Sequence, residues 1–186
     1  MKKCIKQVFC LLLIFLLLFN VTVFADDNGP EDFEDDNTST TIDFSEPSDT
    51  SSDDTIWTRE YEDGTEEVVT EEDLSPNPLL RWNAISTVAM ALDFKIGGKA
   101  VFNTTVSTNN TKYSIKIVTK LQSYRNSTWK TLYTKTKTSD LTMTANSGSY
   151  YVTKGYKYRT RNTITIYNSS GKVIETDTLN CTRTYN

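Results

Sequence analysis

From about Ile85 to the C-terminus the chain contains no proline, and short β-prone runs alternate with turn-forming clusters. In "ISTVAMALDFKI" the residues Val88, Met90, Leu92, Phe94 and Ile96 fall on one side of an extended strand, because strand side chains alternate with a period of two. Gly97-Gly98 turns the chain, and "AVFNTTVS" resumes with Phe102 and Val106 on one side. "KYSIKIVTKLQS" alternates through Tyr113, Ile115, Ile117 and Leu121. The turn "RNST", the run "WKTLYTKTK", "DLTMT" with Leu141 and Met143, and the turn "ANSGS" lead to a last hairpin, "GYKYRTRNTITIYNSSGKVIETDT". Roughly seven or eight short strands rich in Thr, Tyr, Val and Ile, with no competing amphipathic helix, predict an all-β fold. The expected architecture is a single antiparallel β-sandwich over residues 81–186, immunoglobulin-like in kind. Tyr156 or Tyr158 is placed to act as a tyrosine corner, with its ring in the core and its hydroxyl on upstream backbone. Trp129 is expected in the core, an exposed platform being the alternative.

The N-terminal part is of another kind. Residues 1–25 carry Lys2, Lys3 and Lys6, an apolar run from Val8 to Phe19, and small residues before Asp26, the three parts of a secretory signal peptide. After cleavage no integral membrane segment is expected, and the address is extracellular. Residues 26–55 are acidic, Ser/Thr-rich and poor in hydrophobes, which predicts disorder. Residues 56–80 form an acidic hairpin-like segment, with Asp63-Gly64 as its turn, followed by a linker stiffened by Pro76 and Pro78. An isolated hairpin is marginal, so this one is expected to form when docked on something.

Charge follows the same division. Of the 24 acids, 20 lie between Asp26 and Asp73, where the only base is Arg59. From Ser75 onward 16 bases face four acids, a net +12. The chain's overall −4 averages an acidic tail and a basic domain. Within the domain, Lys157, Arg159 and Arg161 project from one side of a single strand, opposite Tyr158, Thr160, Asn162, Ile164 and Ile166. Lys112, Lys116 and Lys120 share a side of another, and Tyr167 extends the first row. These rows read either as a solvated sheet face or as a basic patch for an anionic cell-wall polymer or glycan. The chain's own acidic segment is long enough to reach that patch and mask it. No sequence-specific nucleic-acid contact is expected.

The signal segment, the acidic segment, "LLRWNAIS" and then "VTKGYKYR" through "YNSSGKV" resemble small secreted proteins of Gram-positive, clostridia-like bacteria that end in a single immunoglobulin-like β domain. The resemblance covers about residues 80–186. It implies a fold and an extracellular address, and no catalytic residue.

The chain has no histidine, which removes Ser-His-Asp and Cys-His catalysis and His-containing zinc sites. Glu175 and Asp177 are spaced to share a strand face but are expected to be solvated rather than a glycosidase pair. The carboxylates of "EDFEDD" and "SSDD" lack the glycine-bearing loop of a calcium site, so neither metal nor cofactor is expected. Signal cleavage leaves Cys181 as the only cysteine, either a small buried hydrophobe or the source of an intermolecular disulfide. The expectation is a secreted, non-enzymatic binding or cell-surface accessory protein. The alternative is a structural or adhesive β domain that self-assembles or pairs with other surface proteins.

Overall fold

The computed structural model describes residues 55–74 and 82–186. The segment expected to be a signal peptide, the acidic segment up to residue 54 and the proline linker lie outside the described residues. Nine strands follow in order: β1 (Ile56–Glu60), β2 (Glu66–Val69), β3 (Ile85–Lys95), β4 (Lys99–Thr108), β5 (Ser114–Arg125), β6 (Thr128–Ser139), β7 (Met143–Tyr151), β8 (Tyr156–Tyr167) and β9 (Val173–Tyr185). They form two antiparallel sheets packed as a sandwich, one of six strands in the order β2-β1-β9-β8-β5-β6 and one of three in the order β3-β4-β7.

The alternating residues supply the core. Phe94, Phe102, Ile115, Ile117, Leu121, Ile164, Ile166 and Leu179 are all fully buried. Phe94 stacks on Tyr185 at 4.7 Å between ring centroids and meets Tyr158 at 5.6 Å. Tyr158 takes the tyrosine-corner role: its hydroxyl donates to the Thr153 carbonyl (2.7 Å) and accepts from the Thr153 N–H (3.1 Å). Tyr156 is partly exposed and does not. Ile96, expected in the core, is 71 % exposed, because the β3–β4 turn has already begun there. Leu141 and Met143 are exposed as well. Within the three-stranded sheet Gly148 on β7 stands directly opposite Phe102 on β4, and a Cβ added to Gly148 would lie 2.5 Å from the Phe102 ring.

The interior also holds a polar hub. Thr104 on β4 and Thr119 on β5 both donate to Asn162 Oδ1 on β8, at 2.7 and 2.9 Å. Asn146 on β7 donates to Thr119 Oγ1 (3.0 Å) and to the Lys135 carbonyl (3.0 Å). These four side chains are buried and come from both sheets. A shift of either sheet by one residue would strand their polar atoms, so the hub fixes the relative register.

Two expectations change here. The hairpin β1–β2 is not outside the sandwich: β1 pairs with β9 from Ile56↔Thr182 to Glu60↔Thr178. Trp57, Val69 and Leu74 pack on the core, so the boundary at residue 81 falls inside the domain. Glu175 and Asp177 are not a solvated pair. Glu175 accepts the backbone N–H groups of Asn83, Ala84 and Ile85 at 3.1, 2.7 and 3.0 Å. Asp177 accepts the Trp82 indole N–H at 2.5 Å and pairs with Arg59 at 3.1 Å. Both carboxylates hold the start of β3 against β9.

Candidate functional site

The outer face of the six-stranded sheet carries the cationic rows. Cross-strand pairing places Arg161 beside Lys120 on one flank and Asn180 on the other, with Thr58 beyond. One row further, Arg159 lies between Gln122 and Thr182. Lys116 stands beside Thr165 and Thr138. Lys157 is exposed next to Thr184. Lys116, Lys120, Lys157, Arg159 and Arg161 thus share one face, as their spacing predicts. Lys112 is exposed in the turn before β5, and Tyr167 is half-buried at the far end of β8 beside Ser114. These two frame the patch and do not form its centre.

The arginines are not free. The Arg161 guanidinium donates from Nε and Nη2 to the two Glu60 oxygens, at 2.8 and 2.7 Å, across the intervening β9. Arg159 donates from Nη1 to Glu66 (2.7 Å) and from Nε to Gln122 Oε1 (2.8 Å). Bidentate pairing of this kind is strong because the planar fork matches the carboxylate. The Arg161 hydrogen bond holds the Glu60 carboxyl below its ordinary range, and the same bond raises Arg161. Asn180 Nδ2 adds longer contacts to Thr58 Oγ1 (3.3 Å) and Glu60 (3.4 Å). Lys116, Lys120 and Lys157 have no side-chain hydrogen bond or ion pair among the described residues.

The hairpin therefore changes the electrostatics of the domain. With residues 55–74 included, the described residues carry 16 Lys and Arg against 12 Asp and Glu, a net of +4, where residues 82–186 alone carry +11. The part of the acidic segment that covers the arginines is the folded hairpin, Glu60 and Glu66. A readable signal existed. A two-residue turn at Asp63-Gly64 would set Glu60 opposite Glu67, and the observed hairpin, centred on Asp63, sets it opposite Glu66; in either register two carboxylates face each other, which is destabilising unless a cation lies nearby.

An aromatic pair flanks the patch. Asn126 and Ser127 both adopt left-handed φ, 51° and 59°, which is the two-residue turn suited to a twisted hairpin. This turn sets Trp129 opposite Tyr124, with ring centroids 5.1 Å apart. The Arg159 guanidinium lies 4.3 Å from the Trp129 ring centre. Trp129 is half-buried on the outer face and is not among the hydrophobic residues packed on the core, so the core expectation is corrected to a platform at the sheet's rim. Tyr124 beside it is 42 % exposed.

Cys181 is also corrected as a disulfide candidate. Its side chain is completely buried on the inner face of β9, opposite Trp57 and Thr160. Burial pushes the thiol up to about 12, outweighing the nearby Arg183 charge. Arg183 itself is held by the Leu92 carbonyl and Asp93, each at 3.0 Å. A cleft of ≈ 440 Å³ opens between Tyr61, Trp82 and Asp177, but its two arginines, Arg59 and Arg161, are matched by Asp177 and Glu60. No protein-family model, curated protein or solved structure matches the chain.

Proposed function

We propose that this is a secreted, non-enzymatic accessory protein whose immunoglobulin-like domain binds an anionic polymer or acidic glycan through the outer face of its six-stranded sheet. One observation carries the reading. Two arginines of that face already hold carboxylates in close charge-assisted geometry, while Lys116, Lys120 and Lys157 beside them hold none. A face that takes two carboxylates from its own hairpin suits a ligand that presents carboxylates or sulfates in series. Tyr124 and Trp129 add flat apolar surface at the rim, where a sugar ring would rest beside Arg159. The three lysines supply attraction that weakens as salt rises.

The test is titration of the chain from Asp26 onward with polygalacturonate and with dextran sulfate, over a salt series. Lys116→Gln, Lys120→Gln and Lys157→Gln together are expected to abolish binding at low salt. Glu60→Gln with Glu66→Gln is expected to tighten it by freeing the arginines. An affinity unchanged by the triple lysine substitution ends this reading.

A further inference from the structure

The six-stranded sheet is electrically polar across its width. The hairpin edge, residues 55–74, carries eight acids and only Arg59. Strands β5 and β6 at the other edge carry six bases and no acid. Five strand-to-strand gaps of ~4.8 Å put the two edges about 24 Å apart. Among the described residues both edge strands, β2 and β6, pair on one side only.

Charged edges ordinarily keep sheets apart, and lysines on an edge strand are a common device for it. That device works when the edges that meet carry the same sign. Here β2 against β2 repels and β6 against β6 repels, but β2 against β6 attracts. The charges forbid symmetric pairing and permit head-to-tail pairing.

Register makes the fit specific. One continuous cross-strand row runs Glu67–Arg59–Leu179–Asn162–Thr119–Lys135. Its two ends are a carboxylate and an ammonium on the same side of the sheet. Glu67 accepts only the Tyr61 hydroxyl, and the Lys135 side chain has no partner among the described residues. The neighbouring rows end in Val69 and Tyr133, in Val68 and Thr134, and in Glu66 and Thr136. A second copy placed by translation along these rows sets Glu67 opposite Lys135 and Val69 opposite Tyr133. It also covers Val68, which is 70 % exposed in the single chain.

The count of strands allows it. In a fully antiparallel sheet of six, the first and last strands run in opposite directions, so the next copy's β2 meets β6 antiparallel. The ladder also stays in phase. The bond from the Tyr61 N–H to the Thr65 carbonyl makes Arg59–Glu67 a bonded pair, which leaves the amides of Glu66 and Val68 pointing outward. Alternation across five gaps leaves Thr134 and Thr136, in the same two rows, pointing outward from β6.

We infer that copies of this chain associate head to tail, the acidic β2 edge of one adding to the basic β6 edge of the next with Glu67 opposite Lys135. Sheet twist turns each step by ~20° per strand, so the contact does not close and short helical filaments result. The partner is a second copy of this chain. The contact uses the sheet's edges and leaves Lys116, Lys120 and Lys157 on its outer face.

The test is sedimentation velocity of the chain from Asp26 onward, across concentration and at low and high salt. The mean mass is expected to rise by about twofold or more at low salt, as end-to-end addition requires, and to return to monomer at high salt. Glu67→Lys alone and Lys135→Glu alone are each expected to be monomeric. Their equimolar mixture, and the chain carrying both substitutions, are expected to associate again. Two misfolded variants would not rescue each other, and circular dichroism checks each fold. A wild-type chain that stays monomeric at low salt overturns the inference, as does a mixture that fails to associate. Crosslinking of Lys135 to the chain's own residues 26–54 would place that segment on β6 instead, and also overturns it.

Discussion

Replacing Glu60 by Gln and Arg161 by Met, singly and together, measures the contact that most changes the electrostatics of the sheet. The pair is bidentate at 2.7 and 2.8 Å, and the two side chains are 17 % and 28 % exposed. Exposed ion pairs contribute about 0.2–1 kcal/mol, whereas breaking a fully buried one costs about 3–5 kcal/mol. An intermediate site with two charge-assisted bonds falls between these limits, so the coupling energy of the double-mutant cycle is expected near ~1–2 kcal/mol. Equilibrium urea unfolding of all four chains at neutral pH reads it directly.

The pH dependence follows from Glu60. Its folded carboxyl is held below the ordinary 4.5 by the Arg161 hydrogen bond, with Arg159 and Asn180 also facing it. A depressed carboxylate contributes stability that is present in full above the unfolded value and lost as pH falls through the folded one. The coupling is therefore expected to be constant from neutral pH down to about 5 and to shrink below about 4.5, while Arg161 remains charged throughout. Additivity of the two substitutions to within about 0.5 kcal/mol at neutral pH would refute the Glu60–Arg161 coupling. So would a coupling that persists undiminished at pH 2.

Further outcomes are expected from the core. Cys181 should resist thiol reagents in the folded chain and react at once in denaturant, and a nonreducing gel should show no covalent dimer. Asn162→Leu should cost roughly 2–4 kcal/mol by orphaning two buried hydroxyls, and adding Thr104→Val with Thr119→Val should recover most of it in urea melts. Gly148→Ala should destabilise by about 1–3 kcal/mol, because the new methyl overlaps the Phe102 ring.

The core face of β8 was legible because Tyr158, Thr160, Asn162, Ile164 and Ile166 alternate without a break, and all are buried. Strands β3 and β4 of the smaller sheet were legible for the same reason, but β7 was not: Ala145–Ser149, expected as a turn from its Asn, Ser and Gly, lies inside that strand and pairs along β4. Alternation does not say which strands are neighbours, so it did not show that β1 adds to β9. Without that pairing, Glu60 and Glu66 read as part of a spacer and the arginines as free. Trp129 was misplaced for a different reason. Both faces of an edge strand hold large residues, and only the two-residue turn at Asn126-Ser127 decides that Trp129 shares the Tyr124 side. Glu175 and Asp177 looked solvated because their partners lie ninety or more residues away, on the backbone of Asn83–Ile85 and the Trp82 ring.

The positive groups of this sheet compete for different anions, and tethering sets the order. Glu60 and Glu66 are fixed in the same sheet as Arg161 and Arg159, so they bind at high effective concentration and with little ordering left to lose. Lys116, Lys120 and Lys157 hold no such carboxylate among the described residues, so a polyanion meets them without displacing a fixed neighbour. Contacts to such exposed charges contribute about 1 kcal/mol or less per pair and are screened within ~8 Å at physiological salt. Salt should therefore weaken polymer binding at these lysines and the Glu67–Lys135 contact together, while leaving the two arginine pairs closed. Assembly through β6 and polymer binding through the face would then share one dependence on salt and differ in which lysines abolish them.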